Sequence, residues 1–552
     1  MRHNKFINQY FYLQCLFLVM FIGSFSLSSC GQQKEKVNQA DSLVKAWNQT
    51  IPGNFSSQSS VTYDSTEMAS FFKRYPDLSQ YADQIRNFYR KRNYAYAWFE
   101  NGKLIEQAEN LSNRLMNLQN EGVYKQIAYQ KALDSLLYGL NVKTKKKPDV
   151  ILELMLTSQY FAFSKLAWDG MDASVSKSAK WYLPRKKVAY DQYLDSLLKA
   201  PVKQWSSDEP VYRQYELLRK YLRKYRALDI GENWNHIDVG KSSLKPGDSS
   251  SVIAKIKERL YKLEDFRGDT LNNLYDGTLL TAIKQFQERH GLKDDGLLNK
   301  ETYAELNIPI KSRIRQILVN MERSRWLPVS LNADYLAVNI PEFKLHVYHA
   351  DSLLWSCNVV VGQTVHQTTL FYGEIKYIVF SPYWNVPQSI VIHEILPGIK
   401  RDPKYTSRHN MEIKGYQDGL PIVRQKPGPD NSLGLVKFLF PNSYNIYLHD
   451  TPAKSLFGES SRAFSHGCIR VMEPAKVADF LLKNSKEWDS NKIDSAMHSG
   501  KERYVTLNNK VPVFIAYFTA FIDRNDHLNF RKDIYNLDEH LASMIISGQG
   551  KY

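Results

Sequence analysis

Apolar residues recur at helical spacing along the first half of the chain. Leu104, Ala108, Leu111, Leu115 and Leu118 follow one another at intervals of four and three, and Gly122 stands where the helix would end. Tyr215, Leu218, Leu222 and Tyr225 repeat the pattern, while Ile151–Trp168 is apolar nearly all round, as a buried helix must be. These positions predict a helical domain over residues 66–240. Residues 244–309 read as a smaller helical unit. Turn residues in LKPGDSSS lead into a helix bearing Val252, Ile256 and Leu260, Thr278–His290 forms a second, and DDGLLNKETYAEL supplies a turn and a short third. From about residue 333 the period shifts from about 3.6 residues to about 2. Runs at 335–340, 344–348, 358–361, 376–380, 436–440 and 445–449 read as strands. They predict a mostly-β, sandwich-like domain over 333–500, with 501–552 as a strand and helix extension packed on it. Between Trp384 and Gly434 the pattern breaks into Pro, Gly, His and charge, and an irregular insertion of that length reads as a lid, about 385–434. The fold class is multidomain α+β.

At 552 residues the chain exceeds one hydrophobic core, in keeping with three or so domains behind the N-terminal segment. Its 43% hydrophobic and 24% charged residues exclude a disordered, collagenous or polytopic membrane chain. The formal charge of +16 suits acidic partners such as an acidic wall polymer or anionic lipid. The basic residues are dispersed, without zinc-finger spacing or an RNP-like motif, so no nucleic-acid partner is expected.

Residues 1–30 read as a secretion signal, with Arg2 and Lys5 at the start and Leu16–Ile22 as an apolar run too short to span a membrane. Leu27-Ser28-Ser29-Cys30 resembles a bacterial lipobox, which implies lipidation at Cys30; an ordinary cleaved signal with a chance cysteine is the alternative. The Gln-, Ser-, Asn- and Lys-rich stretch 31–65 suits a flexible tether. The expectation is a protein of the bacterial cell envelope, periplasmic and lipid-anchored to a membrane.

Candidate chemistry lies in Tyr447-Leu448-His449-Asp450 and, with fifteen residues intervening after His449, Ser465-His466-Gly467-Cys468-Ile469-Arg470. A free thiol is only a few per cent ionised at neutral pH, so an attacking cysteine needs an imidazole to take its proton and a cation to hold the developing anion. Gly467 lets the backbone turn, so that the Gly467 and Cys468 amides could face an oxyanion. His466 lies two residues from Cys468 and would share its side in an extended stretch.

The full pattern resembles the signature of the L,D-transpeptidase (YkuD-type) catalytic domain. Glu322–Pro328, Asn339–Phe343, Ser381–Ser389, Gln425–Phe440, Leu448–Lys454 and Asp533-Ile534-Tyr535 extend the resemblance to the large members, with a helical scaffold and a lid. Residues 244–309 are similar to the small three-helix peptidoglycan-binding domain through Gly247-Asp248, Phe286-Gln287, Gly291-Leu292, Asp295-Gly296 and Thr302. Residue by residue these are as readily core, Phe286 and Leu306 above all.

The resemblance implies acyl transfer between peptidoglycan stem peptides: attack before the terminal D-Ala of a tetrapeptide, then resolution of the thioester by an amine to give a 3→3 crosslink. It makes Cys468 the nucleophile and His449 the base, and puts Gly467, Cys468 and Tyr447 at the oxyanion region. Arg470 would order the loop or face the substrate carboxylate, and His466 would support. Asp450 or a backbone carbonyl would orient His449. Trp384, Ser465 and Asp450 are expected to border the substrate, with a core position equally open for Trp384. Cys357 reads as a buried apolar side chain. No cofactor and no metal are expected; the partners are stem peptides, glycan and, through the anchor, a membrane. Hydrolysis of the same thioester (an L,D-carboxypeptidase) or exchange with a free D-amino acid, and a non-catalytic wall-binding scaffold, remain open alternatives at this point.

Overall fold

The computed structural model describes residues 61–139, 147–199, 209–231, 234–238, 243–329, 331 and 333–547. The signal segment with Cys30, and the tether as far as residue 60, lie outside them. Among the described residues no helix is long and apolar enough to cross a membrane.

The helical first domain forms around α1 (Val150–Phe163), buried along almost its whole length as its sequence requires. The Asp149 side chain caps it, accepting from the Ile151 and Leu152 amides at 2.9 and 3.2 Å. Its one buried acid, Glu153, accepts from the Tyr89 hydroxyl and the Ala97 and Trp98 amides at 2.7, 2.5 and 3.1 Å. Ala108, Leu111, Leu115 and Leu118 are buried as their spacing predicts, and Gly122 ends that segment at φ +68°. α2 (Arg213–Gly231) buries Tyr215, Leu218, Leu222 and Tyr225.

The middle unit has the three expected helices, α3 (Ser251–Lys262), α4 (Gly277–Arg289) and α5 (Lys300–Leu306), each with a side-chain N-cap, from Ser250, Asp276 and Asn299. Ile253 rather than Val252 joins Ile256 and Leu260 in its core. Phe286 and Leu306 are core residues. Gln287 is buried and knits the α4–α5 turn, donating to the Leu297 carbonyl and Thr302 hydroxyl and accepting from the Gly296 amide.

α6 (Ile310–Trp326) then joins three parts of the chain through the segment Glu322–Trp326. Arg325 donates to the Ala167 carbonyl at 2.9 Å, the Glu121 carbonyl at 2.5 Å and Glu322 at 2.5 Å, while Glu322 also accepts from the Met171 amide at 2.6 Å. Arg323 reaches Asp538, at the start of the helix Asp538–Ile546.

The third domain is mostly β, as its alternation predicts. Its strands are β1 (Trp181–Tyr182), β2 (Asp334–Asn339), β3 (Lys344–His349), β4 (Ser352–Gly362), β5 (Leu370–Phe380), β6 (Val436–Leu439), β7 (Leu448–His449), β8 (Ala463–Ser465), β9 (Ile469–Val471) and β10 (Arg503–Ala516). They run in the order β6-β7-β9-β4-β3-β2-β10-β5, and β6 also pairs with β5, so the sheet closes on itself. β8 adds to β4, and β1, from the helical domain, adds to β5. The C-terminal segment is therefore no appendage: β10 lies between β2 and β5, and the domain needs chain beyond residue 500. The insertion is also more regular than its composition predicts. Short helices and three strands, Trp384–Asn385, Met411–Gln417 and Leu420–Gln425, enclose a small core of Val386, Ile390, Val391, Ile395 and Val423.

Because Arg325 binds the helical domain to α6 through buried groups, Arg325→Met is expected to cost about 3–5 kcal/mol. In limited proteolysis it should release the helical domain as a fragment; an unchanged digestion pattern would contradict this role.

Candidate active site

β7 and β9 form a parallel ladder two pairs long, Leu448 opposite Ile469 and His449 opposite Arg470. Leu448 and Ile469 are fully buried in the domain core. Side chains alternate along a strand, so Tyr447, His449, Cys468 and Arg470 share the other face. The contacts agree: the Tyr447 and His449 rings lie 5.6 Å apart, and the Arg470 charge acts on both His449 and Cys468. The loop between the strands makes a short helical turn, Lys454–Gly458, and returns through β8, which lays β9 beside β7 in the same direction.

His449 is buried, and its Nδ1 faces the backbone carbonyl of Asp450. A carbonyl only accepts, so Nδ1 carries the proton and Nε2 is left as the base. This answers the question of what orients the ring. The Asp450 carboxylate is buried and occupied elsewhere, accepting from the Leu435 amide at 2.8 Å and from Lys454 at 2.5 Å. Burial, then the Arg470 charge, pushes His449 down to about 4, against the pull of the Asp450 carbonyl and carboxylate and of the Leu433 carbonyl.

Burial pushes the Cys468 thiol up, opposed by the Tyr447 amide, the Tyr447 hydroxyl and Arg470. The thiol faces the Asn445 carbonyl at 3.5 Å. The site at rest thus holds a neutral thiol and a neutral imidazole. Burial, and then Cys468, raises the Tyr447 phenol, which keeps its proton as a donor. The Arg470 Nε is buried with no partner among the described residues, a donor left for an anion.

The turn before Cys468 is held from within and behind. Ser465 Oγ accepts from the Gly467 amide at 3.1 Å and donates to the Cys468 carbonyl at 2.5 Å. Gly467 sits at φ +112°, where a side chain would be strained. Its carbonyl accepts from Thr368 Oγ1 at 2.8 Å; Thr368 accepts in turn from the Gly362 amide, and its own amide donates to the Tyr535 hydroxyl at 3.2 Å. Two expectations change here. Ser465 is buried inside the turn rather than bordering substrate, and the Gly467 amide is spent on it. The Cys468 amide is the one without a partner among the described residues.

His466 also departs from expectation, because residues 466–467 bend rather than extend. Its ring lies 4.9 Å from the His366 ring and approaches Glu394 of the insertion at 3.7 Å. Trp384 packs, half-buried, on the small core of the insertion. Cys357 is buried, its thiol pushed up to about 11, and both it and Cys468 are free. Among the described residues no three His, Cys, Asp or Glu side chains are arranged to hold a metal ion.

Thr368 and Asn442 escape the sequence reading. Asn442 knits its loop from inside, donating to the Phe440 and Ile446 carbonyls and accepting from the Tyr444 and Ile446 amides, which fixes Asn445 beside the thiol. The turn-prone PNS segment signals a loop, but not that one side chain organises it.

Three family models match the chain: the L,D-transpeptidase catalytic domain (YkuD) over residues 333–493, a scaffold domain over 83–222, and a domain described as "putative peptidoglycan binding domain" over 249–306. A Haemophilus influenzae protein named "Putative L,D-transpeptidase" is 33% identical over 317 residues, 53% of this chain and 64% of that relative, so the match spans less than two thirds of the relative's length. Among solved structures, an L,D-transpeptidase (residues 123–326) from Xylanimonas cellulosilytica matches at 13% identity, covering 50% of this chain and all of that one, with a TM-score of 0.17. An L,D-transpeptidase from Stackebrandtia nassauensis matches at 14%, covering 50% of this chain and 94% of that one, with a TM-score of 0.21. Likenesses that slight carry no weight for the fold. The chain thus carries, in order, a match to a scaffold domain, a match to a peptidoglycan-binding-type domain and a match to the YkuD L,D-transpeptidase catalytic domain.

Proposed function

We propose that the protein is a peptidoglycan L,D-transpeptidase in which Cys468 attacks the peptide bond before the terminal D-Ala of a tetrapeptide stem. The shared face of Tyr447, His449, Cys468 and Arg470 carries this reading. Cys468 Sγ attacks the carbonyl carbon as its proton passes to His449 Nε2. The developing oxyanion meets the free Cys468 amide, with the Tyr447 hydroxyl and Arg470 as further donors. His449 then returns the proton to the leaving amine, the C–N bond breaks, D-Ala departs and a thioester remains. In the second step the side-chain amine of another stem loses a proton to His449 and attacks. The C–S bond breaks, sulfur regains its proton, and a 3→3 crosslink forms.

Because the imidazole is held neutral, the nucleophile is made during attack instead of being stored as thiolate. The insertion acts as a lid that keeps water from the thioester. A cell-envelope location follows from such a substrate, with Cys30 as the lipidation site that anchors the protein to a membrane and leaves it in the periplasm.

Cys468→Ala should abolish product formation while leaving thermal unfolding unchanged; turnover in that variant would refute the nucleophile. The acid limb of kcat/KM should have its midpoint near pH 4, since only below about 4 does His449 gain a proton and cease to be a base. A midpoint near the ordinary histidine value of 6.5 would contradict the buried, Arg470-facing environment. Arg470→Gln removes a charge that disfavours imidazolium, so the limb should move to higher pH while acylation slows about tenfold or more.

A further inference from the structure

The helical domain reaches the edge of the reacting cysteine. β1 runs parallel to β5, with Trp181 against Leu370 and Tyr182 against Phe371. Trp181 is the anchor: it is 1% exposed and meets Trp326 and Phe518 edge-on. Alternation turns the next side chain outward, and Tyr182 is 46% exposed. It stacks on Tyr444, itself 42% exposed, with ring centroids 6.2 Å apart and an interplanar angle of 30°. Phe371 supports Tyr444 from the core at 5.0 Å. Tyr444 immediately precedes Asn445, whose carbonyl lies 3.5 Å from Cys468 Sγ. On the other flank Lys180 Nζ donates to Gln367 Oε1 at 3.2 Å, one residue before the Thr368 that holds Gly467.

Two domains thus build a supported aromatic pair, open to solvent, beside the nucleophile and rimmed by an amine and amides. A pyranose suits such a surface: its C–H face is apolar and lies flat on a ring, while its hydroxyl and N-acetyl edges seek hydrogen bonds. We propose that Tyr182 and Tyr444 form a saccharide subsite for the sugar that carries the stem peptide, with Lys180, Gln367 and Asn445 at its polar rim. The scaffold domain then has a task in substrate binding as well as in support. This rests on the reading of Cys468 as the residue acylated by that stem.

The test compares acylation by a disaccharide-tetrapeptide with acylation by the same tetrapeptide without sugar, read by intact mass. Tyr182→Ala and Tyr444→Ala should each raise KM for the sugar-bearing substrate about three- to tenfold, leaving its kcat and both constants for the bare peptide unchanged. Tyr182→Phe keeps the ring and should behave as wild type, and Tyr182→Thr, which favours a strand, should match the alanine variant if β1 stays in place. Equal losses on both substrates would overturn the subsite in favour of a peptide contact or a structural role, as would no loss on either. Binding of the bare disaccharide to the Cys468→Ala protein, weakened by Tyr182→Ala, tests the subsite even if neither substrate acylates the wild type. In that case the failure belongs to the transpeptidase reading alone.

Discussion

The site depends on a parallel ladder only two residue pairs long. A register slip of one residue between β7 and β9 would turn His449 or Cys468 into the core and Leu448 or Ile469 out of it. Neither strand is long enough to fix that register by itself. It is held by flanking strands, β6 on one side and β4 on the other, whose own order depends on closure of the sheet. The chain spends a scaffold, a linking helix and a C-terminal strand on keeping that closed sheet in place.

Behind the ladder, a relay of hydrogen bonds runs from the C-terminal segment to the turn before Cys468. Asp533 accepts from the Tyr517 hydroxyl, which in turn accepts from the Tyr535 amide. The Tyr535 hydroxyl accepts from the Thr368 amide and donates to the Gly362 carbonyl, and Thr368 holds the Gly467 carbonyl. With that carbonyl held back and the Gly467 amide engaged by Ser465, the Cys468 amide is left without a partner among the described residues. Arg470 lies at the front of the same arrangement. Its charge favours thiolate and disfavours imidazolium, so proton transfer is drawn toward the moment when negative charge appears on substrate.

Much of this is legible in the sequence, because period and motif spacing are local properties. The helical domain, the three helices behind Ser250, Asp276 and Asn299 and the change to strands near residue 333 all follow from them. What the sequence hides is tertiary. β1 is two residues long and shows no alternation, so its place in the catalytic sheet cannot be read from Trp181-Tyr182. β10 looks like an appendage because its partners, β2 and β5, lie far back along the chain. The insertion looks irregular because its core takes single residues from short elements, Val386 and Val423 among them. The side taken by His466 is hidden because spacing assigns sides only in an extended stretch, and residues 466–467 bend. Thr368 and Asn442 carry no chemical signal; a buried hydroxyl and a loop amide acquire roles only from what surrounds them.

The central claim is that this face forms a thioester at Cys468 and passes it to an amine. Mass spectrometry of muropeptides after incubation of the purified protein with disaccharide-tetrapeptide, beside a Cys468→Ala control, tests it most directly. A dimer lighter than two monomers by one D-Ala, with the linkage at the third residue of both stems and absent from the control, is the predicted result. Tripeptide alone would contradict the claim, since water rather than an amine would then resolve the thioester.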